Sequence, residues 1–334
     1  MEINYPMNQE SPSDKSTDVN FYSVDVIIPV YHPDEKLKQL LTMLYRQTKK
    51  PDHVLLLHTI DNSGDPKRNE LLLPEIQDSN IRVFPIDKKD FDHGGTRKFG
   101  ASQSEADILM YMTQDAVPVD EYLIEQLLKP YEDPLVAATY GRQMPGEASD
   151  ILERYTRAFN YPKKSRVKSS EDMEELGIKT FFCSNVCATY RNKTYQKLGG
   201  FVDRTIFNED MIMAFGIIGA GYRIAYAAEA RVLHSHQYSY LQQFTRNFDL
   251  GVSHKEYEEY FSSVKSESEG IKLVKQTMKY LIEHKKFLLI PDLIMNSGFK
   301  YLGYLMGVNY RKLPDSLVVR FSMNKGYWNR KETK

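Results

Sequence analysis

Three stretches of this 334-residue chain carry side chains suited to moving a proton or holding a cation: Tyr111-Met112-Thr113-Gln114-Asp115-Ala116-Val117-Pro118, Asn208-Glu209-Asp210 and His234-Ser235-His236. In the first, one carboxylate follows an apolar run. A carboxylate so placed either holds a hard divalent cation on a diphosphate, because magnesium takes one or two protein carboxylates plus phosphate oxygens, or caps a helix starting near Val119. In the second, Asp210 stands at a helix start, where it either serves the cap and the dipole or acts as a general base. The helix N-terminus is expected to lower its pKa and keep it ionised at neutral pH. In the third, His234 and His236 are expected on opposite faces of an extended segment, so that only one would join a metal. A single histidine there also suits a hydrogen-bonded structural role.

A fourth stretch, Phe91-Asp92-His93-Gly94-Gly95-Thr96-Arg97-Lys98, sets glycines at a helix entrance and an arginine one turn in. Backbone N–H groups at such an entrance can face an anion, and Arg97 can pair with phosphate. The composition is common, and no G-K-[ST] of a Walker A loop occurs. Cys183 and Cys187 read as small buried apolar residues. Ser184 and Asn185 between them either face an acceptor or close hydrogen bonds at a strand end.

The elements that position these residues follow from periodicity. Val24 to Val30 is a short, β-branched run, as a buried parallel strand requires. Leu37, Leu40, Leu41 and Leu44 recur at helical spacing after Pro33-Asp34. Further strands are expected at 54–57, 81–86, 108–112, 135–140, 181–190 and 222–228. Helices are expected from Gly94-Gly95 toward Ala106, and at about 120–129, 193–198, 210–220, 239–262 and 268–287. Asn62 to Pro66 reads as a turn, and Gly219-Ala220-Gly221 as a helix stop. Residues 145–180 read as a charged, irregular flap or linker, and residues 1–20 as a disordered leader. Strands alternating with helices imply an α/β fold with a mainly parallel sheet, whose ligands bind beyond the carboxyl ends of the strands.

Composition narrows the classes. There are 44 Lys+Arg against 45 Asp+Glu, a net charge of −1, so a globally basic nucleic-acid binder is not expected. Two cysteines make neither a disulfide framework nor a Cys-rich zinc site, which fits a reducing compartment. No apolar run approaches a membrane span, and a cytoplasmic protein is expected. The tail differs: from Arg311 to Lys334, seven Lys/Arg face two carboxylates, interleaved with Leu313, Leu317, Val318, Val319, Phe321, Tyr327 and Trp328. This pattern suits either a peripheral contact with an anionic membrane surface, such as the inner face of the plasma membrane, or a surface helix packed on the body.

Together these segments resemble the family 2 glycosyltransferases of the GT-A fold. VDVIIPVYHP is similar to that family's first strand and nucleotide-facing loop (Pro29, Val30, Tyr31), and Asp61 stands where the family carries an aspartate on the pyrimidine base. Thr113-Gln114-Asp115 occupies the D-x-D position, and Asn208-Glu209-Asp210, preceded by LGGF, resembles the E-D motif with the catalytic base. The resemblance covers about residues 24–240. FDHGGTRK, TQDAVP and LHSHQYS look most like bacterial L-rhamnosyltransferases that use dTDP-L-rhamnose. Two departures stand out: Thr113 replaces the first Asp of D-x-D, and Lys98 replaces a usual asparagine.

The resemblance implies a GT-A domain at 21–240 (nucleotide half 21–140, acceptor half 141–240), between the leader expected at 1–20 and a helical region expected at 241–334. It implies an inverting displacement in which Asp210, beside Glu209, deprotonates an acceptor hydroxyl. Pro29, Val30, Tyr31, Asp61, His93, Gly94, Gly95, Arg97, Gln114 and Asp115 would bind the nucleotide sugar, and Ser184 and Asn185 the acceptor. A divalent cation, Mg²⁺ or Mn²⁺, would sit on Asp115 and His234, with His236 the weaker candidate. The implied partners are dTDP-L-rhamnose and a glycan or polyprenyl-diphosphate-linked acceptor. Competing readings are another sugar, a catalytically silent binding module, and a nucleotidyltransferase. The last would need a glycine-rich basic loop, whereas residues 29–36 hold no Gly and one Lys.

Overall fold

The computed structural model describes residues 21–62, 65–71, 73, 80–262 and 267–328. The expected leader, residues 63–64 of the turn and the last six residues of the tail lie outside them. The strands are β1 (Val24–Tyr31), β2 (His53–Ile60), β3 (Ile81–Asp87), β4 (Ile108–Met112), β5 (Val117–Pro118), β6 (Val136–Met144), β7 (Arg166–Lys168), β8 (Cys187–Arg191) and β9 (Arg223–Leu233). The helices are α1 (Glu35–Tyr45), α2 (His93–Ser102), α3 (Leu123–Leu128), α4 (Ile151–Asn160), α5 (Met173–Leu176), α6 (Asn192–Lys197), α7 (Glu209–Gly219), α8 (Tyr240–Glu256), α9 (Glu258–Phe261), α10 (Glu267–Glu283), α11 (Ile290–Val308), α12 (Asp315–Phe321) and α13 (Lys325–Trp328).

One sheet runs β3-β2-β1-β4-β8-β6-β9-β5, with β7 beside β9. β3, β2, β1, β4, β6 and β9 point one way, while β8, β5 and β7 are reversed. The molecule is therefore α/β with a mostly parallel sheet and a helical C-terminal region. β1, β2 and β4 are almost wholly buried because helices cover both faces. One face packs on Leu37, Leu40, Leu41 and Leu44 of α1 and Leu123 to Leu128 of α3. The other packs on Ala101, Tyr195, Met213, Ala214 and Ile217. Asp34 caps α1 by accepting from Lys36 N–H, as Pro33-Asp34 implied.

The C-terminal helices pack through a close crossing of α8 and α11. A Cβ on Gly303 or Gly307 would lie 2.2 or 2.1 Å from the carbonyl oxygens of Phe244 and Phe248, so only glycine admits this approach. Val318 and Tyr327 are buried with Phe248, Val252 and Ile206, and Phe321 and Trp328 pack against them. Val318 and Tyr327 of the tail are thus part of the buried core.

Four segments differ from expectation. Residues 151–160 form α4 instead of an irregular flap, because their apolar side chains share one face. The strand expected at 181–190 begins only at Cys187, since 177–181 winds into a short 3-10 helix. β9 runs on to Leu233, past the expected end at 228. Beyond the last helix expected from periodicity, at 268–287, Ile290 opens α11 with Pro291 in its first turn.

Candidate active site

The carboxyl ends of β1, β2, β3, β4, β6 and β9, and the amino end of the reversed β8, meet at one edge. This places Tyr31, Asp61, Lys88, Asp115, Gln143, His234 and the Ser184-Asn185 loop together, where ligands of parallel sheets bind.

Asp115 meets both histidines. β5 and β9 pair antiparallel with Val117 opposite Leu233, so continuing the register sets Asp115 across from position 235, between them. His234 Nε2 lies 3.6 Å from one carboxylate oxygen and His236 Nε2 3.2 Å from the other. The expectation of divergent imidazoles fails, because residues i and i+2 of an extended chain share a face. His234 Nδ1 donates to Gln143 Oε1 at 3.0 Å, which leaves Nε2 unprotonated and aimed at Asp115. Burial holds the His234 pKa down to about 3, so the ring is neutral at pH 7. The donor atoms of Asp115, His234 and His236 lie within 4.8 Å of one another, a set that fits one cation. The Thr113 hydroxyl is buried without a hydrogen-bond partner among the described residues.

Asp210 starts α7 after Asn208, which takes a left-handed φ of 66°. Its carboxylate accepts from Asn185 N–H (3.1 Å) and Met211 N–H (2.8 Å). Burial and the adjacent Glu209 carboxylate nevertheless push its pKa up to about 7, against the expected depression. The helix-end amides are outweighed by desolvation and like charge. A base titrating there is matched to proton transfer near neutral pH.

Glu209 is closed off from any acceptor. At 5% exposure it pairs with Arg97 (3.2 Å) and accepts from Asn185 Nδ2 (3.0 Å). Arg97 is equally buried, and its Nη1 also donates to the His93 carbonyl, while its Nε is buried with no hydrogen-bond partner among the described residues. Asn185 is 2% exposed: its amide serves Glu209, its carbonyl accepts from Tyr190 OH, and its backbone N–H holds Asp210. It positions the two carboxylates instead of touching an acceptor. Ser184 Oγ accepts from Gln143 Nε2 at 3.0 Å.

The glycine entrance of α2 is not an anion cradle. His93 N–H donates to the Thr205 carbonyl and Gly95 N–H to the Asp92 carboxylate, whose negative charge covers the helix end. A Cβ on Gly94 would lie 2.2 Å from the Val202 carbonyl, and one on Gly95 2.5 Å from that of Asp203. The glycines let α2 meet this loop. His93 packs between Phe91 and Phe207, and Lys98 pairs with Asp203 at 2.6 Å.

At the other end of the edge, Pro29 and Val30 close β1. The Gln114 side chain grips the Tyr31 backbone, accepting from its N–H (2.8 Å) and donating to its carbonyl (3.0 Å). Tyr31 OH and Lys88 Nζ reach Asp61 at 2.9 and 2.6 Å, and His32 stacks on Tyr31 with centroids 3.8 Å apart.

Sequence reasoning missed His32, Lys88, Gln143, Arg157 and Tyr161. Gln143 joins the two ends of the site: it bonds His234 and Ser184, and is itself held by Arg157 and Tyr161. Only its place at the end of a strand, and that of Arg157 on the amphipathic run of α4, offered any signal. Cys183 and Cys187 are free and buried, with burial pushing both thiols up to about 12.

The family model described as Glycosyl transferase family 2 matches residues 25–199. The O-antigen chain rhamnosyltransferase RfbN of Salmonella typhimurium is 39% identical over 310 residues, covering 92% of this chain and 96% of that protein. The O-antigen chain rhamnosyltransferase WbaN of Salmonella anatum is 38% identical over 312 residues, with the same coverage. Among solved structures, a mannosyltransferase from Pyrobaculum calidifontis in complex with GDP-Man and Mn²⁺ aligns with a TM-score of 0.55 at 14% identity. That alignment covers 90% of this chain and 91% of that one, and it gives the same fold.

Proposed function

The chain belongs to glycosyl transferase family 2, and from that premise we propose that it moves L-rhamnose from dTDP-β-L-rhamnose to a glycan or lipid-linked glycan acceptor with inversion. The observation that carries the reading is the pairing, on one sheet edge, of a raised-pKa Asp210 with the Asp115–His234–His236 cluster. Asp210 takes the proton of the acceptor hydroxyl, whose oxygen bonds to the anomeric carbon. The bond from that carbon to the nucleoside diphosphate breaks, and the electron pair leaves with the diphosphate. Asn185 and Met211 orient the Asp210 carboxylate through their N–H groups. Asp61, Tyr31 and Lys88 face the base, and residues 141–240 form the acceptor side.

Asp115, His234 and His236 would hold the divalent cation. One carboxylate with two imidazoles suits a transition ion such as Mn²⁺ better than Mg²⁺, which prefers oxygen donors. When bound, the ion neutralises charge that develops on the diphosphate. The rhamnosyltransferase names of RfbN and WbaN support the choice of sugar.

Hydrolysis of a panel of sugar nucleotides, with and without Mn²⁺ or Mg²⁺, tests this. Slow turnover of dTDP-L-rhamnose that needs the metal and is lost in Asp115→Ala is the expected result. Turnover of a different donor alone would overturn the sugar, and undiminished metal-free turnover would overturn the cation.

A further inference from the structure

The turn joining α10 to α11 is the most exposed apolar point on the described surface. Every residue from Ile282 to Leu288 is exposed, Leu288 at 95% and Phe287 at 55%. Lys285 and Lys286 precede these two side chains, and neither pairs with a carboxylate among the described residues; the nearby Glu283 is taken by Lys279. The outward face of α11 continues the apolar surface through Ile294, Met295, Tyr301, Leu302 and Leu305, while its inward face is sealed on α8.

The direction of this projection matters. Tyr240 stacks on Phe299, Gly303 meets Phe244 and Gly307 meets Phe248, so α8 and α11 run parallel. From Ile290 to Phe299, α11 therefore overhangs the start of α8 by about 14 Å. That start is where the chain arrives from His234 and His236, so the tip points to the catalytic end.

We propose that the 285–288 turn and the outward face of α11 dock on an anionic lipid bilayer. Phe287 and Leu288 enter the acyl boundary, and Lys285 and Lys286 meet lipid phosphates, the combination that holds interfacial helices at a membrane. A second copy of the chain fits less well, because a two-fold contact at this tip would bring both unpaired lysine pairs together. The surface is independent of which sugar the enzyme transfers.

Co-sedimentation of the full chain with phosphatidylcholine vesicles, with and without phosphatidylglycerol, tests the proposal. The chain should bind the anionic vesicles, and Phe287→Ser/Leu288→Ser should weaken binding at least about tenfold. Lys285→Gln/Lys286→Gln should weaken it about tenfold and remove the preference for phosphatidylglycerol. Both variants should keep wild-type melting temperature and donor hydrolysis. A wild-type chain that stays in the supernatant, or a Phe287/Leu288 variant that sediments unchanged, would overturn the proposal. So would light scattering that finds a wild-type dimer dissociated by the same substitutions.

Discussion

At the residue scale, two carboxylates one position apart have opposite fates. Glu209 is buried against Arg97 and Asn185. Asp210 has no ion pair among the described residues and is pushed up to about 7 by burial and by Glu209. A base works only when deprotonated, so kcat/KM should rise as pH passes through about 7 and level off above it. A pH profile measured with saturating metal checks this, and a profile flat from pH 5.5 to 8.5 would rule it out. Asp210→Asn should lose about 10²–10⁴-fold in turnover while still binding donor.

At the element scale, Arg97 and Glu209 tie α2 to α7 across the loop that Gly94 and Gly95 approach. Removing one partner strands a buried charge, at a cost of roughly 3–5 kcal/mol. Arg97→Gln should therefore lower the unfolding midpoint in urea sharply, and Arg97→Gln/Glu209→Gln should recover much of the loss. An arginine that served only a phosphate would leave stability unchanged and raise the KM for donor instead. The glycine-rich start of α2 looked like an anion cradle because composition does not show what faces it. In the fold, the capping Asp92 carboxylate and the Thr205 carbonyl take those N–H groups.

At the scale of the whole molecule, the C-terminal segment is part of the body. Asp249 of α8 accepts from the backbone N–H groups of Met323 and Asn324, and Tyr327 OH donates to Glu256. Val318 and Tyr327 fill the space beside Phe248 and Val252. Truncation at Arg311 should uncover that core, lowering the melting temperature and increasing binding of an apolar dye. A truncated chain that melts with the full one would show the tail to be an independent appendage.

The sequence by itself determined the alternating α/β order, the parallel strands, the helix starts at Asp34 and Asn208-Glu209-Asp210, and the family. All of these rest on short-range periodicity, caps and motif order. It also marked Asp115, Asp210 and His234 by residue type. Only the tertiary structure decided which groups meet. Strand register placed both His234 and His236 on Asp115, burial reversed the pKa shift of Asp210, and packing turned Arg97 and Asn185 inward. Gln143 and Arg157, with no motif around them, entered the site because strand β6 and helix α4 deliver them there. Charge, solvation and contact across the fold are properties of distance in space, and local sequence spacing carries little of that information.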